Sequence, residues 1–460
     1  MLRIIDPATE ETLHELEEDT AGSIHAKVEA ARRAQRLWQN VPLAKRSDAV
    51  RRFGDALVAQ RERLAGILTA EMGKPIVQSR NELAAMADRI TFFLDTTPAA
   101  IEDEVVLCSV TAGRALEEQI RYEPLGVIAN ISAWNYPYFV GSNVFLPALL
   151  TGNAVLYKPS EHATLTGLAI AELLHEAGVP EDVFVPVIGA GGVGAALLDE
   201  DIDAVFFTGS YATGRRIAEA VAPRLVRLQL ELGGKDPIYV CDEVSVAQAA
   251  AGVAEGAFYN AGQSCCAVER IYVHRAIADA FTDAFVAHAE ALRVGDPRSE
   301  DTDVGPLARA AQIDVLTDHV DDAVRLGARL LCGGGRRPGR GFFFEPTVLS
   351  DVDHRMVVMR EESFGPIIGI QIVDDDAHAI ALMNDTEYGL TAGVYSSDRA
   401  RAERILANVN AGTVYWNCCD RVSPRLPWSG RGKSGIGSTL SLAGIRAFVQ
   451  PKAWHLRGQG

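Results

Sequence analysis

The feature that most constrains the fold is a regular alternation of short apolar segments and amphipathic segments after residue 125. The segment 127–131 is apolar apart from one asparagine, which is typical of a strand buried on both faces of a parallel sheet. The alternation therefore predicts a doubly wound parallel sheet with helices on both faces. The predicted strands are 127–131, 154–157, 183–188, 204–207 and 224–230, and the predicted helices are 165–177, 193–198 and 213–221.

A second alternation begins near residue 237, so the fold class is α/β with two doubly wound parallel-sheet units. The first hundred residues are mostly helical in pattern. Segment 116–122 mixes polar and apolar residues like an exposed antiparallel strand, and 447–456 is a strand-like tail. In the second unit the predicted strands are 238–240, 270–273 and 367–372, and the predicted helices are 246–259, 277–292 and 308–326.

Composition narrows the class of protein. A chain of 460 residues with 48% hydrophobic and 23% charged residues is expected to be globular, with two or more domains. A net charge of −17 argues against nucleic acid or an anionic membrane as a partner. The sequence shows neither a signal peptide nor an apolar run long enough to span a bilayer. Seven cysteines without scaffold-like or metal-ligand spacing predict a reduced, cytoplasmic protein with no metal site.

Two reactive side chains lie where glycines indicate that regular secondary structure ends. Cys265 follows a small-residue helix on a Gly-Gln turn, and Glu231 ends an apolar run just before two glycines. A thiol and a carboxylate in such positions suit a covalent mechanism with a hydrolytic second step. Each also has a structural interpretation, because a cysteine can be a buried, inert side chain and a carboxylate can bond backbone N–H groups at a turn.

Two segments could bind a phosphate. Residues 189–194 match G-x-G-x-x-G, but the acidic residue expected about 20 positions later is absent, so a tight strand-to-helix turn explains them equally well. Residues 207–214 also join a strand to a helix. There Gly209 permits a sharp turn and Ser210 offers a hydroxyl beside free N–H groups. An ordinary helix cap is the alternative for Ser210.

Five separated segments resemble the aldehyde dehydrogenase superfamily, in the family's order and over nearly the whole chain. The segments are Ala133-Trp134-Asn135-Tyr136-Pro137, Lys158-Pro159-Ser160-Glu161, Glu231-Leu232-Gly233-Gly234-Lys235, Gly262-Gln263-Ser264-Cys265 and Glu361-Glu362-Ser363-Phe364-Gly365-Pro366. The resemblance implies a Rossmann-like NAD-binding domain (1–115 and 125–236), a catalytic domain (237–435) and a small β arm for oligomerisation (116–124 and 436–460). It also implies a homodimer or homotetramer.

The resemblance assigns catalytic roles to three residues. Cys265, two residues after Gln263, is the nucleophile that forms a thiohemiacetal and then a thioester. Asn135 is the side-chain donor to the oxyanion. Glu231 activates the water that releases a carboxylic acid, and its presence favours hydrolysis over acyl transfer to coenzyme A. An acylating enzyme and a catalytically silent relative remain alternatives.

The resemblance also assigns a binding site for NAD. Lys158 and Glu161 match residues that hold the adenosine ribose, and a carboxylate there repels a 2′-phosphate, which favours NAD over NADP. Glu362 and Phe364 match the ligand of the nicotinamide ribose and its packing partner, and Gly191 lies near the adenine end. The full set of predicted cofactor residues is Ile131, Trp134, Lys158, Ser160, Glu161, Gly191, Gly209, Ser210, Gly214, Leu232, Glu362 and Phe364.

The substrate pocket is predicted by position alone. Its expected walls, Tyr136, Val140, Asn143 and Trp428, suit an aliphatic or aromatic aldehyde. Arg421 and Arg425 in the C-terminal loop could instead pair with the carboxylate of a semialdehyde, as in a succinate-semialdehyde-type dehydrogenase. The sequence departs from the family at Ala133, where proline is usual. It departs again at Val144, which replaces a lysine with a supporting role at the active site.

Overall fold

The computed structural model describes residues 1–111, 114–419 and 421–458. Residues 112–113, 420 and 459–460, which belong to the predicted domains and arm, lie outside the described residues. The strands are β1 Leu2–Ile5, β2 Thr12–Leu16, β3 Glu104–Thr111, β4 Arg114–Pro124, β5 Val127–Ile131, β6 Ala154–Lys158, β7 Phe184–Pro186, β8 Ala204–Thr208, β9 Arg227–Glu231, β10 Pro237–Val240, β11 Arg270–His274, β12 Arg329–Cys332, β13 Thr347–Ser350, β14 Ile367–Val373, β15 Thr391–Tyr395, β16 Thr413–Trp416, β17 Gly435–Ile436 and β18 Val449–Arg457. The α-helices are α1 Ala21–Trp38, α2 Leu43–Ala59, α3 Arg61–Met72, α4 Ile76–Ala100, α5 Pro137–Thr151, α6 Thr164–Glu176, α7 Gly191–Leu198, α8 Tyr211–Val221, α9 Val246–Phe258, α10 Ala278–Ala291, α11 Ala311–Arg325, α12 Asp376–Asn384, α13 Arg399–Leu406 and α14 Ser441–Arg446.

The first parallel sheet has the order β17-β9-β8-β5-β6-β7. Strands β5 and β6 are buried along their whole length, which explains their apolar composition. The chain runs outward from β5 through β6 to β7, and then crosses to the other side of β5 as β8 and β9. The two-residue strand β17 pairs antiparallel with β9, so residues near the C-terminus cover the edge of this sheet.

The second sheet has the order β12-β13-β14-β11-β10-β15-β16, with every neighbouring pair parallel except β12 and β13. Strands β10, β11 and β14 lie where the sequence predicts them, whereas β12, β13, β15 and β16 had no counterpart in the prediction. With two such sheets and helices on their faces, the prediction of an α/β fold with doubly wound sheets is confirmed.

The β arm is a three-stranded antiparallel sheet of order β18-β4-β3. The tail pairs with the predicted exposed strand, because Arg457 lies opposite Leu116 and Val449 opposite Pro124. The sequence missed β3, which lies in the region assigned to the cofactor domain and pairs with β4 instead.

Helices α5 and α6 pack on one face of the first sheet, and α2 packs against both helices. On this face Phe145 packs edge-on against Phe184 and Tyr157, with ring centroids 5.4 and 5.9 Å apart. Helices α1, α7 and α8 contribute apolar side chains to a separate core cluster that also holds residues of β5, β6 and β8. No helix of the described residues is both long enough and apolar enough to cross a membrane.

Candidate active site

Between β5 and β8 the chain reverses the direction in which it adds strands, and an open α/β sheet has a crevice at the carboxyl ends of such strands. Ligands of open α/β sheets bind at such a switch point. The residues that end these strands and their neighbours are Ile131 on β5, Lys158 on β6, Thr208 on β8 and Glu231 on β9. The order of the strands therefore collects residues that are far apart in sequence.

Cys265 is carried by a turn whose backbone is tightly held. After α9 the chain forms a short 3-10 turn, Tyr259–Gly262, in which Asn260 and Ala261 both adopt left-handed φ values of 54° and 55°. Such conformations cost about 1 kcal/mol or more each and persist only where neighbouring contacts enforce them. Here the Asn260 amide donates to the carbonyls of Asn135 and Gln263 at 3.3 and 3.1 Å. The turn presents Cys265 half-buried at a cavity.

Glu231 is a buried carboxyl group at the end of β9, with 4% of its surface exposed. The indole Nε1 of Trp428 donates to its Oε1 at 2.5 Å, and the Thr208 hydroxyl lies 3.5 Å from its Oε2. Burial raises the pKa of Glu231 to about 7, although the Trp428 hydrogen bond and the positive charge of Arg89 act in the opposite direction. A carboxyl group with such a pKa can accept a proton near neutral pH.

Asn135 is buried beside the turn that carries Cys265. Its side-chain Nδ2 donates to the carbonyl of Gln263 at 3.2 Å. An amide NH₂ group has two N–H donors, so one remains for a further acceptor. This fits the predicted role as an oxyanion donor, which stays a prediction.

A cavity of about 410 Å³ joins these groups. Its walls include Cys265 and Glu231 together with all four residues predicted to form the substrate pocket, Tyr136, Val140, Asn143 and Trp428. Trp428 therefore has a second contact that the sequence did not indicate, because it also holds the carboxyl group of Glu231.

The two arginines proposed from the sequence as carboxylate ligands both form ion pairs at the surface. Arg421 lies at the cavity wall, where it pairs with Glu255 at 3.4 Å. Arg425 pairs with Asp88 at 2.5 Å. These exposed pairs weaken the case that either arginine is available for a substrate.

The start of α5, which carries the pocket residues, is fixed by a buried ion pair that sequence reasoning missed. Lys74 and Glu82 lie 2.5 Å apart with almost no exposure. Glu82 also accepts the backbone N–H of Tyr138 at 2.9 Å, and so caps the first turn of the helix. The Lys74 ammonium lies 3.7 Å from the centre of the Tyr136 ring. No motif marks Lys74 or Glu82 in the sequence.

The replacement of the usual family lysine by Val144 leaves an apolar residue that is buried in the core. Another cation lies near Glu231, namely Arg89 of α4, which lines the cavity. Its guanidinium donates to the Asn143 Oδ1 and lies 4.5 Å from the centre of the Phe139 ring. Nothing in the sequence distinguished Arg89 from a solvated helical arginine.

Strand β6 ends in the residues predicted to hold a ribose. The Lys158 Nζ donates to the carbonyl of Pro159 at 3.3 Å, and its stem lies beside Gly194 of α7. The Ser160 hydroxyl donates to the Glu161 carboxylate at 3.3 Å. Among the described residues, no lysine or arginine forms an ion pair with Glu161, so its oxygens can accept hydroxyl hydrogen bonds.

The glycine-rich turns leave room and backbone donors for a dinucleotide. A side chain at Gly191, the first residue of α7, would meet no atom within 4 Å, so open space lies above that helix start. Ser210 caps α8, where its Oγ accepts the N–H of Thr213 at 3.4 Å. Ser210 therefore caps the helix and also belongs to the turn predicted to bind phosphate, so its two interpretations do not exclude each other. Gly209 and Gly214 both lie where a side chain would overlap a neighbour, Phe207 and Leu232 respectively.

The predicted nicotinamide end also comes together. Trp134 packs edge-on against Phe364 with ring centroids 5.4 Å apart. Glu362 accepts the N–H of Gly234 at 3.0 Å. This segment is anchored by a second buried ion pair that sequence reasoning missed, in which Lys235 contacts Glu269 at 2.5 Å while Glu269 accepts the backbone N–H groups of residues 363 and 364.

In residues 1–111, 114–419 and 421–458, no group of three or more His, Cys, Asp or Glu side chains is arranged to hold a metal ion.

Comparison with known proteins places this site in a family. The model of the aldehyde dehydrogenase family matches residues 1–454. A betaine aldehyde dehydrogenase of Cereibacter sphaeroides is 36% identical over 455 residues, which are 98% of this chain and 93% of that one. Among solved structures, PnpE of Pseudomonas sp. has a TM-score of 0.95 at 34% identity, covering 99% of this chain and 94% of that one. A betaine aldehyde dehydrogenase of Staphylococcus aureus has a TM-score of 0.94 at 31% identity, covering 99% and 93%.

These matches extend over almost the whole chain and include every segment that carried the resemblance. They confirm the prediction of an enzyme that oxidises aldehydes with a nicotinamide dinucleotide. The chain belongs to the aldehyde dehydrogenase family.

Proposed function

We propose that this protein oxidises an aldehyde to a free carboxylic acid, with NAD as the hydride acceptor. The observation that carries the proposal is that Cys265 and the buried Glu231 line one cavity of about 410 Å³. A nucleophile and a base in one cavity suit a reaction in which an acyl group is first bound and then hydrolysed.

In this mechanism the Cys265 thiolate attacks the aldehyde carbon and forms a thiohemiacetal. The second N–H of Asn135 and the backbone N–H of Cys265 stabilise the oxyanion. NAD, when bound, would supply the hydride acceptor, and loss of the hydride would convert the thiohemiacetal on Cys265 to a thioester. Glu231 then takes a proton from water, and the resulting hydroxide attacks the thioester, releasing the acid and the thiolate. The Trp428 hydrogen bond keeps the Glu231 carboxyl group in a fixed orientation.

The residues at the crevice fit a dinucleotide. Lys158 and Glu161 would hold the adenosine ribose, the turn at Gly209 and Ser210 would face the pyrophosphate, and Glu362 would hold the nicotinamide ribose. Open space above Gly191 and acceptor oxygens on Glu161 support this fit. The similar S. aureus structure contains NAD⁺.

The assay that tests the proposal is NADH formation from short aliphatic, long aliphatic, aromatic and carboxylate-bearing aldehydes, without coenzyme A. Turnover with stoichiometric acid as the product is expected. If NADH appeared only after coenzyme A was added, the enzyme would be acylating, and the role proposed for Glu231 would be wrong.

Glu161→Ser is expected to raise the ratio of kcat/KM for NADP to that for NAD by roughly tenfold to a hundredfold, because a like-charge contact with the 2′-phosphate is removed. Glu176→Ser, an exposed glutamate at the end of α6, is the matched control. If Glu161→Ser left the ratio unchanged, the 2′ position would be recognised by other residues.

Steady-state turnover is expected to depend on the ionisation of Glu231. Its raised pKa of about 7 means that the carboxylate predominates above pH 7 and is lost as the pH falls. Well below pH 7, the deacylation rate should therefore fall by about tenfold for each pH unit. The pH dependence of kcat, measured with NAD and aldehyde at saturation, checks this. A flat profile between about pH 6 and pH 8 would contradict it.

We also propose a homodimer or homotetramer that assembles through the β arm, with a cofactor domain (1–115 and 125–236) and a catalytic domain (237–435). The exposed valines of β3, Val105, Val106 and Val110, support an arm that meets another subunit. None of the seven cysteines forms a disulfide within the described residues, which supports a reducing, cytoplasmic location.

A further inference from the structure

The cavity wall contains a buried cation, Arg89, for which the proposed reaction has no role. Only 3% of Arg89 is exposed, yet it lies in the wall of the same cavity as Cys265. Its guanidinium donates to the Asn143 Oδ1 and stacks near the Phe139 ring. Both neighbours lie on α5, so the group is held in place on one side.

Arg89 forms no direct ion pair with a carboxylate in the part of the chain that the structure describes. Three carboxyl groups act on it through space, those of Glu231, Glu82 and Asp88. Glu82 is paired with Lys74 and Asp88 with Arg425, each at 2.5 Å. Glu231 is already bonded to Trp428. The guanidinium has five N–H donors, and its Nε has no acceptor among the described residues.

A buried cation without an ion-pair partner lowers the stability of the folded protein. An anion that enters the cavity would remove much of that cost. The planar fork of arginine matches a carboxylate, which it can bind through two parallel hydrogen bonds. A quaternary ammonium or another cation would be repelled at the same place. Two more charged groups at this wall, Glu255 and Arg421, pair with one another and together add no net charge to the cavity wall.

We propose that Arg89 binds a carboxylate carried by the substrate, so that the enzyme acts on aldehydes that also bear an acid group. That the reactive end of the substrate is an aldehyde rests on the proposed oxidation. The charge selectivity of the cavity does not depend on it. Arg89 is a specificity-determining residue in this view, and Asn143 orients its guanidinium.

The charge selectivity can be tested without turnover or cofactor, by alkylating Cys265. Iodoacetate carries the carboxylate and iodoacetamide is its neutral counterpart. The rate constants for modification of Cys265 are measured by mass spectrometry near pH 6, where Glu231 is mostly protonated. For each variant, the rate constant with iodoacetate is divided by the rate constant with iodoacetamide. This ratio is then divided by the same ratio for a small free thiol. Because both reagents attack the same thiolate, a change in the pKa of Cys265 cancels.

The wild-type ratio is expected to exceed that of the free thiol, and Arg89→Met should lower it by about tenfold, the order expected when one unit charge is removed from a partly buried cavity wall. Methionine fills similar apolar volume and leaves no unpaired charge, and Arg89→Lys should restore most of the ratio. The double variant Arg421→Gln with Glu255→Gln, which removes both members of the ion pair at this wall, is the control and should change the ratio little. An equal ratio in wild type and Arg89→Met would overturn the proposal.

A second measurement uses succinate semialdehyde and butanal, which have the same number of carbons. The ratio of their kcat/KM values should fall at least tenfold in Arg89→Met and recover in Arg89→Lys. If both aldehydes are oxidised with a ratio that Arg89→Met does not change, the carboxylate site is wrong and the proposed oxidation stands. If no aldehyde is oxidised but alkylation keeps its charge selectivity, the proposed oxidation is wrong and the anion site stands.

Discussion

Cys265→Ala is expected to reduce aldehyde oxidation by at least about 10⁴-fold, the order of loss that follows removal of an enzyme's nucleophile. Without the thiol no thiohemiacetal forms, and a free aldehyde hydrate is a poor hydride donor. NAD should still bind, because the crevice at the carboxyl ends of β5 and β8 is formed by other residues. NADH formation measures the first effect, and calorimetric titration with NAD measures the second.

The matched control is Cys266→Ala, since the neighbouring thiol is buried on the same turn and also lies at the cavity. That variant is expected to keep oxidation within about tenfold of wild type, because the change is a small truncation in a packed site. If Cys266→Ala were inactive while Cys265→Ala turned over normally, the two cysteines would have the opposite roles.

Glu231→Gln is expected to separate the two halves of the reaction. Glutamine has the same shape and can still accept the hydrogen bond from Trp428, but it cannot take a proton from water. Rapid mixing should show a burst of about one NADH per active site, followed by a steady rate reduced by 10²- to 10⁴-fold, the usual contribution of a general base. The thioester should then accumulate on Cys265 and be visible by mass spectrometry.

Hydroxylamine provides a further check, because it attacks thioesters without needing a base on the enzyme. It should restore turnover in Glu231→Gln and give a hydroxamate as product. Glu255→Gln, a change of the same kind at the wall of the same cavity, should keep the steady rate and the burst amplitude of wild type. Linear turnover at the wild-type rate in Glu231→Gln would remove this carboxyl group from the mechanism.

The sequence predicted those elements whose local composition agrees with their final environment. Strands β5, β6 and β8 are almost fully buried, so their apolar runs identify them without knowledge of the fold. Strand β15 is buried but has a threonine and a glycine among its five residues, and the four-residue strand β16 is partly exposed. Such short segments join a sheet because their neighbours provide the hydrogen bonds, and local propensity contributes little.

The residues of the site also divide into those that the sequence marks and those that it does not. Cys265 and Glu231 are visible in the sequence because glycines mark the turns that carry them. Arg89, Lys74 and Glu82 have no such mark. Glu82 and Arg89 lie on α4, where charged residues have the same local signature whether they face solvent or are buried, and Lys74 lies in the short loop before that helix. Only the packing of α4 against α5 shows that they reach the cavity and the first turn that borders it.

The edge strand β17 has a consequence for synthesis of the protein. Glu231 lies opposite Gly435, and the indole that bonds its carboxyl group belongs to Trp428, so about 200 residues separate the base from the segment that completes its surroundings. A ribosome releases the chain from the N-terminus, and the cysteine turn is translated long before residues 428–436 emerge. An incomplete chain could therefore present a reactive thiol without an organised base. Full turnover would be acquired only after residues 428–436 had emerged and folded.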